Sequence, residues 1–255
     1  MEPRRETFTV HTYEVDAFGS LTPPALAGFL QEIAGAHATA LGVGLDALMA
    51  RGLTWVLARQ RIEMPSPIRL GDLVEIATWP SGIDRLSATR EFEVRRAGEV
   101  VARASTGWFV LDLATRRPVR PDRLLDPRLP RARAPSVAKF ADGKLPALER
   151  WELQKRFHVR YEDIDGNLHV TNTSYLAWAL EAVPRETWRT CRVEAVEVQF
   201  LAECSYGSAV LSRLASAGEG GFAHAIVSEE EGKELARVAT RWTPREPAPA
   251  GTPAR

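Results

Sequence analysis

Apolar residues return every three to four positions along the stretch that holds Ala25, Leu26, Phe29, Leu30, Ile33 and Ala34. That spacing predicts an amphipathic helix. Thr22 can cap its start, with Pro23 in the first turn, and the pattern runs to about Ala40. A second helix is predicted around Tyr175, Leu176, Trp178, Leu180 and Val183, which cover nearly its whole circumference. A helix apolar on almost every side should be buried. Four later segments, Leu73–Thr78, Ala88–Arg95, Val193–Phe200 and Ala209–Leu214, are rich in Val, Ile and Phe and predict strands. One helix followed by several strands, occurring twice, gives an α+β chain of two similar halves.

The halves also match residue by residue. Val101-Ala102-Arg103-Ala104-Ser105-Thr106-Gly107-Trp108 aligns with Leu235-Ala236-Arg237-Val238-Ala239-Thr240-Arg241-Trp242, sharing Ala, Arg, Thr and Trp. Tyr13-Glu14-Val15-Asp16 aligns with Tyr161-Glu162-Asp163-Ile164-Asp165 if one insertion is allowed, and Glu32 then falls opposite Glu181. Aligning Gly71 with Gly207 puts Pro67 and Ile68 opposite Glu203 and Cys204.

Between the halves lies ATRRPVRPDRLLDPRLPRARAP, residues 114–135, whose prolines break helix and strand patterns alike. Residues 1–135 are therefore expected to form the first unit and its linker, and residues 136–242 the second. Residues 243–255, rich in Pro and Ala, are expected to be a disordered tail. The linker carries Arg116, Arg117, Arg120, Arg123, Arg128, Arg131 and Arg133 against two aspartates, a local positive charge in a chain whose 33 basic and 33 acidic residues cancel. Global charge thus gives no reason to expect a nucleic acid or an anionic membrane. The seven tryptophans lack a basic groove to stack bases in, and read as core. The start, MEPRRETFTV, has no apolar run, and Pro23, Pro24, Gln31 and Glu32 interrupt Ala17–Leu45. No stable membrane insertion is expected, and the cytoplasm is the expected compartment.

Candidate chemistry gathers at one place. Asp165, Asn167 and His169 alternate just before the second helix, so an extended segment would point all three to one side. Glu203 and Cys204 follow on what should be a neighbouring strand. Opposite Asn167 and His169 the first half has Phe18 and Ser20, so only Asp16 survives of this constellation. One-sided polarity argues for a single site in the second half. Elsewhere, His11, His37, His158 and His224 show no metal-ligand spacing, and Cys191 and Cys204 make no disulfide framework. Gly42-Val43-Gly44 reads as a helix stop, and no G-x-S-x-G elbow occurs.

The run D-x-N-x-H-V-x-N-x-x-Y-x-x-W-x-L-E from Asp165 to Glu181, followed by VQFLAECSYGS, resembles the acyl-acyl carrier protein (ACP) thioesterases. YEVDAFG, LQEIAGAHA, LTWVLARQRIEM and RASTGWFVLDLATRR in the first half are similar to that family too, so the resemblance runs from about Phe8 to Trp242. Thr171 departs from it, at a position where relatives often carry Asn. The resemblance implies a tandem (double) hotdog, each half a long buried helix wrapped by an antiparallel sheet. It implies hydrolysis of fatty acyl-ACP to free fatty acid and holo-ACP in fatty acid biosynthesis, with water and no cofactor. An acyl-CoA thioesterase of the same fold and a non-catalytic acyl-binding protein are the alternatives.

Thioester hydrolysis needs an activated nucleophile and a stabilised oxyanion. Asp165 and Glu203 can supply carboxylates, His169 a proton relay, and Asn167 an amide for the carbonyl or the water. The resemblance aligns Cys204 with a cysteine read as a nucleophile, but Glu203 and Asp165 are unfavourable company for a thiolate. The first half, with Leu26, Phe29 and Leu30 on its helix, is expected to enclose the acyl chain. The arginine-rich linker is either a solvated connection or a docking surface for the acidic carrier. Two fused hotdogs make a complete unit, and a homodimer of that unit stays open.

Overall fold

The computed structural model describes residues 2–84, 86–124, 140 and 143–245. The first half contains β1 (Arg4–Thr9), α1 (Pro23–Ala40), α2 (Leu45–Met49), β2 (Leu53–Glu63), β3 (Leu73–Asp84), β4 (Ser87–Arg96) and β5 (Glu99–Asp112). A two-residue strand, β6 (Pro118–Val119), pairs with β5 and ends this half. The second contains β7 (Leu153–His158), α3 (Asn172–Glu181), α4 (Arg185–Thr190), β8 (Cys191–Phe200), β9 (Ala209–Ser216), β10 (Gly221–Ser228) and β11 (Glu234–Pro244).

All strands join one antiparallel sheet in the order β1-β3-β4-β5-β2-β8-β11-β10-β9-β7. Read from either end, the order is the same relative to each half, as a duplicated unit joined about a pseudo-two-fold axis must be. This is the tandem hotdog that the resemblance implies.

α1 starts as its sequence demands: Thr22 Oγ1 accepts the Ala25 N–H at 3.3 Å, and Pro23 and Pro24 fill positions whose N–H groups would be orphaned anyway. Its buried face, Leu26, Ala27, Leu30, Ile33 and Ala34, enters one continuous core with Tyr175, Leu176, Trp178 and Ala179 of α3. The helices pack on each other as well as on the sheet. α3 is shorter than a long helix, at 10 residues against 18 for α1. Pro184 disfavours helical backbone just before it, and the chain restarts there as α4.

The β2–β8 seam joins the halves, with Arg61 opposite Glu197. Glu197 is 3% exposed, and its carboxylate takes hydrogen bonds from Arg59 Nε at 2.6 Å and Arg61 Nη1 at 3.0 Å.

The matched strands β5 and β11 show why their shared residues recur. The Trp108 indole donates to Thr106 Oγ1 at 2.9 Å, and Trp242 donates to Thr240 Oγ1 at 3.1 Å. The proposed insertion before Asp165 is unnecessary. Short 3-10 turns at Thr12–Glu14 and Tyr161–Asp163 are each followed at once by a bridge, Val15–Leu21 and Ile164–Val170, at a constant offset. Tyr13 therefore corresponds to Glu162, while Asp16 still corresponds to Asp165.

Two expected boundaries also move. Thr243 and Pro244 belong to β11, and Arg245 pairs with Asp16 at 2.7 Å, so the expected tail starts too early; residues 246–255 lie outside the described residues. The linker supplies β6 despite Pro118, because a proline tolerates a strand edge. Its residues 125–135 lie outside the description.

Two stability predictions follow from buried polar groups. Glu197→Ala should lower unfolding free energy by about 3 kcal/mol in denaturant titrations, since it removes the buried carboxylate that two arginines share at the seam. The second concerns His224, 2% exposed, whose pKa burial lowers to about 3. An unfolded histidine takes up its proton near pH 6.5, so this contribution is full above that pH and is lost as pH falls toward 3. Phe92 is its counterpart in β4, since Phe92 pairs with Ala104 as His224 pairs with Val238. His224→Phe should therefore flatten the loss of stability below pH 6.5, by up to roughly 1.4 kcal/mol per pH unit. An unchanged slope would assign that loss to other groups.

Candidate active site

Asp165 to His169 is not extended. It forms a tight turn closed by Leu168 N–H to Asp165 O at 3.0 Å and Asp165 N–H to His169 O at 2.8 Å. Asp165 Oδ1 accepts the N–H groups of Asn167 and His169 at 2.8 and 3.3 Å. Asp16 Oδ1 does the same in the first half for Phe18 and Ser20, at 2.9 and 3.0 Å. One carboxylate oxygen thus builds each turn, which explains why the aspartate survives in both halves. The turns differ at their left-handed residue. Gly19 has φ 72, whereas its counterpart Leu168 has φ 63, a conformation unfavourable for a side chain with a Cβ. That cost falls between Asn167 and His169.

The turn presents His169 to Glu203, with Nε2 3.6 Å from Oε2. This exceeds a hydrogen bond, yet it is within the slack that catalytic pairs take up when substrate binds. The same Glu203 oxygen receives the Arg116 guanidinium at 2.5 Å. Arg116 comes from the hairpin between β5 and β6, so a residue of the first half completes this cluster. The arginine-rich stretch is therefore not uniformly a linker surface: Arg116 holds Glu203, and Arg120 bonds Asp122 at 2.6 Å. The Arg123 side chain and Arg128, Arg131 and Arg133 lie outside the described residues.

Tyr175 is 3% exposed beneath the cluster. Burial raises its hydroxyl pKa, as do the nearby Cys204, Glu203 and Asp165, so it stays a proton donor. In the sequence it counts as an apolar helix position, and its polar tip at the first turn of α3 is the only signal of another role. Arg116 left no such trace, because only the fold brings it across.

Cys204 is 7% exposed and belongs to the core. Its carbonyl accepts the Val170 N–H at 3.1 Å, as the Ile68 carbonyl accepts the Leu21 N–H at 2.7 Å. A residue in the place of a buried isoleucine is first a packing residue. Thr171, the departing position, gives no side-chain cap to α3; its hydroxyl faces Thr173 Oγ1 at 3.4 Å.

A cavity of about 520 Å³ opens beside this turn, within the range of small-molecule sites. Asn167 lines it at one side, and the remaining lining comes from the first half, including Ala34, Gly35, Ala38, Leu41, Trp55 and Trp108. Trp55 holds the α1–α2 loop over the cavity by donating to Val43 O at 2.8 Å. Gly44 allows that loop, because a Cβ there would meet the Thr39 backbone, with Cα at 2.9 Å. The expected lining residues Leu26, Phe29 and Leu30 do not reach this cavity. Leu26 and Leu30 are sealed in the core, and Phe29 stacks on Phe8 at 4.8 Å between ring centroids. Helical periodicity located the face of α1 that packs on the sheet, while the cavity is lined mainly by the turns nearer its C-terminal end.

A second cavity of about 450 Å³ occupies the pseudo-symmetric place, lined by Asp16, Ser20, Leu180, Trp188, Trp242 and Arg245 among others. There Arg245 bonds Asp16 and lies 4.0 Å over the Phe18 ring. Ser20 and Pro67, which line it, are the sequence counterparts of His169 and Glu203. Among the described residues no helix is long and apolar enough to cross a membrane.

Residues 3–125 match the acyl-ACP thioesterase N-terminal domain, and residues 148–244 match the acyl-ACP thioesterase C-terminal domain. The chain is 28% identical to the chloroplastic palmitoyl-acyl carrier protein thioesterase of Cuphea hookeriana, over 94% of this chain and 62% of that one. It is 29% identical to the chloroplastic oleoyl-acyl carrier protein thioesterase 1 of Arabidopsis thaliana, over 93% and 75%. The chain thus spans about three fifths to three quarters of the length of these two relatives. The 12:0-ACP thioesterase of Umbellularia californica superposes with a TM-score of 0.80 at 25% identity, covering 95% of this chain and 98% of that one. An acyl-ACP thioesterase from Bacteroides thetaiotaomicron has the same fold, with a TM-score of 0.82 at 24% identity over 94% and 98%.

Two substitutions separate structural from chemical roles. Asp165→Asn keeps the oxygen that builds the turn and removes the charge. It should lower turnover by about 10²-fold with thermal stability unchanged, as loss of an acid–base group does. Near wild-type turnover would leave Asp165 a turn residue alone. Cys204→Ala should stay within about tenfold of wild type, whereas deleting a covalent nucleophile costs several powers of ten.

Proposed function

The chain belongs to the acyl-ACP thioesterase family, and we propose that it hydrolyses fatty acyl-ACP to free fatty acid and holo-ACP. The observation that carries this reading is the placement of Asn167 on the wall of a cavity lined by the other half, two residues from His169 of the His169–Glu203 pair. In this reading the acyl chain lies between α1 and the sheet of the first half, and the thioester carbonyl meets the Asn167 amide. That amide makes no side-chain hydrogen bond among the described residues, so it is available to a ligand. Glu203, with His169, removes a proton from water. The water oxygen bonds to the carbonyl carbon, the C–S bond breaks, and the carrier's thiol takes the proton. Asp165 fixes the turn with one oxygen, and its charge faces the same cluster. Every step uses side chains of this protein and water.

The carrier is the partner this reading needs, and Arg117 and Arg120, exposed and within four positions of Arg116 in the chain, are cations that can attract an acidic one. Exposed charges chiefly speed encounter and are screened over about 8–10 Å. Replacing both with alanine should raise KM for acyl-ACP and flatten its salt dependence, and leave a carrier-free thioester unaffected.

Purified protein assayed on acyl-ACP and acyl-CoA over a series of chain lengths tests the reading as a whole. A preference for acyl-CoA would move it to the other substrate class, and binding without turnover would make it an acyl-binding protein. Cavity placement is tested by Ala38→Leu, which fills space along the α1 wall. It should shift the profile toward shorter acyl chains, each lost methylene contact being worth about 1–3 kcal/mol. Equal loss at every length would place the chain elsewhere.

A further inference from the structure

We propose that Arg116 is a positioning residue for Glu203, reaching from the first half to hold the carboxylate against His169 so that the site is complete only when the two halves are joined. The inference rests on the hydrolytic reading above and adds a residue to it.

The guanidinium and the imidazole share one oxygen: Glu203 Oε2 is 2.5 Å from Arg116 Nη2 and 3.6 Å from His169 Nε2. A carboxylate on a short exposed segment has several rotamers, and the arginine selects one that faces the histidine. Arg116 is itself held by a built turn. Its N–H donates to Asp112 O at 2.9 Å, and Asp112 N–H donates to Arg117 O at 3.0 Å. Asp112 Oδ1 gathers the Ala114 and Thr115 N–H groups and the Thr115 hydroxyl, at 3.1, 2.8 and 2.9 Å. The turn puts Arg116 at φ 56, in the left-handed region that side chains avoid.

Stability does not account for this arrangement. The arginine and glutamate side chains are 57% and 41% exposed, and exposed ion pairs contribute little to folding. The β4–β5 hairpin also has a left-handed residue, Ala97 at φ 49, so the conformation belongs to the turn, and what singles Arg116 out is its contact with Glu203 beside His169. The pseudo-symmetric cavity offers the contrast. There the arginine from the opposite half, Arg245, binds the turn aspartate Asp16. On the candidate catalytic side the arginine goes to Glu203, and among the described residues no ion pair involves Asp165.

The test compares wild type, Arg116→Gln and Arg116→Lys on acyl-ACP and on a short acyl thioester without carrier. Positioning predicts that Arg116→Gln lowers kcat about tenfold or more on both substrates, as misplacing a catalytic group does, with KM changed much less. Arg116→Lys should recover part of kcat by restoring the charge. In a Glu203→Gln background, Arg116→Gln should add nothing further. A rise in KM confined to acyl-ACP would make Arg116 a carrier contact and overturn the proposal. Additive losses in the double variant, or unchanged kcat in an active enzyme, would overturn it too. A wild type inactive on every thioester would remove the hydrolytic reading and this one with it, so the two failures are distinguishable.

Discussion

The pairing of β2 with β8 is the constraint on which the rest of the structure depends. Without it each half would present a bare sheet edge, and the candidate site would have no cavity beside it. Arg61 and Glu197 face each other in the register, and they are also counterparts, since Arg61 pairs with Ser105 of β5 as Glu197 pairs with Ala239 of β11. A duplicated strand meeting its own copy brings identical residues together at the pseudo-axis. Here that position has diverged into opposite charges. A second arginine, Arg59, shares the buried Glu197 carboxylate. The arrangement suits a fused chain, because two separate identical copies would carry like charges at this point and repel each other.

From that seam follows the division of labour between the halves. The continuous sheet sets α1 and α3 side by side, and the turn before each helix reaches the edge of a cavity formed with the other half. Both turns keep the aspartate that builds them. Around that shared frame the two sites have separated. One retains Asn167, His169 and Glu203 beside a cavity walled largely by the first half. The other holds Phe18, Ser20 and Pro67, with Arg245 lying across the aspartate. Duplication leaves one site free to lose its polar groups while the scaffold needs both copies of the fold.

How far the sequence foretold this depends on the range of each interaction. Local signals were readable: the Thr22 cap, the apolar stripe of α1, the glycine-rich stop after it, and the Thr-Trp repeat in β5 and β11. Each is settled by neighbours a few residues away. The turn at Asp165 was misread as extended because alternation alone does not distinguish a strand from a loop whose aspartate binds its own backbone. Leu26, Phe29 and Leu30 line neither of the two cavities described, for a different reason. Periodicity shows which side of a helix is apolar, but not which part of it meets a neighbour and which part faces open space. Leu26 and Leu30 look the same in sequence as residues that would line a pocket.

The same distinction explains why Cys204 and Arg116 exchange importance once the structure is known. Cys204 drew notice by its chemistry, yet its backbone repeats the hydrogen bond made by Ile68 and its side chain lies among apolar neighbours. What it contributes by position is a carbonyl that fixes Val170, and so anchors the short link between the Asp165 turn and α3. Arg116 drew notice only as one of seven arginines in a charged stretch. Its meaning comes from a contact that spans 87 positions of chain. A contact of that span exists only after the sheet has closed at β2–β8. The residue type suggests what a group could do, but the long-range fold decides which groups meet, and in this chain both the cavity and the cation beside Glu203 are supplied from the half that lacks the histidine.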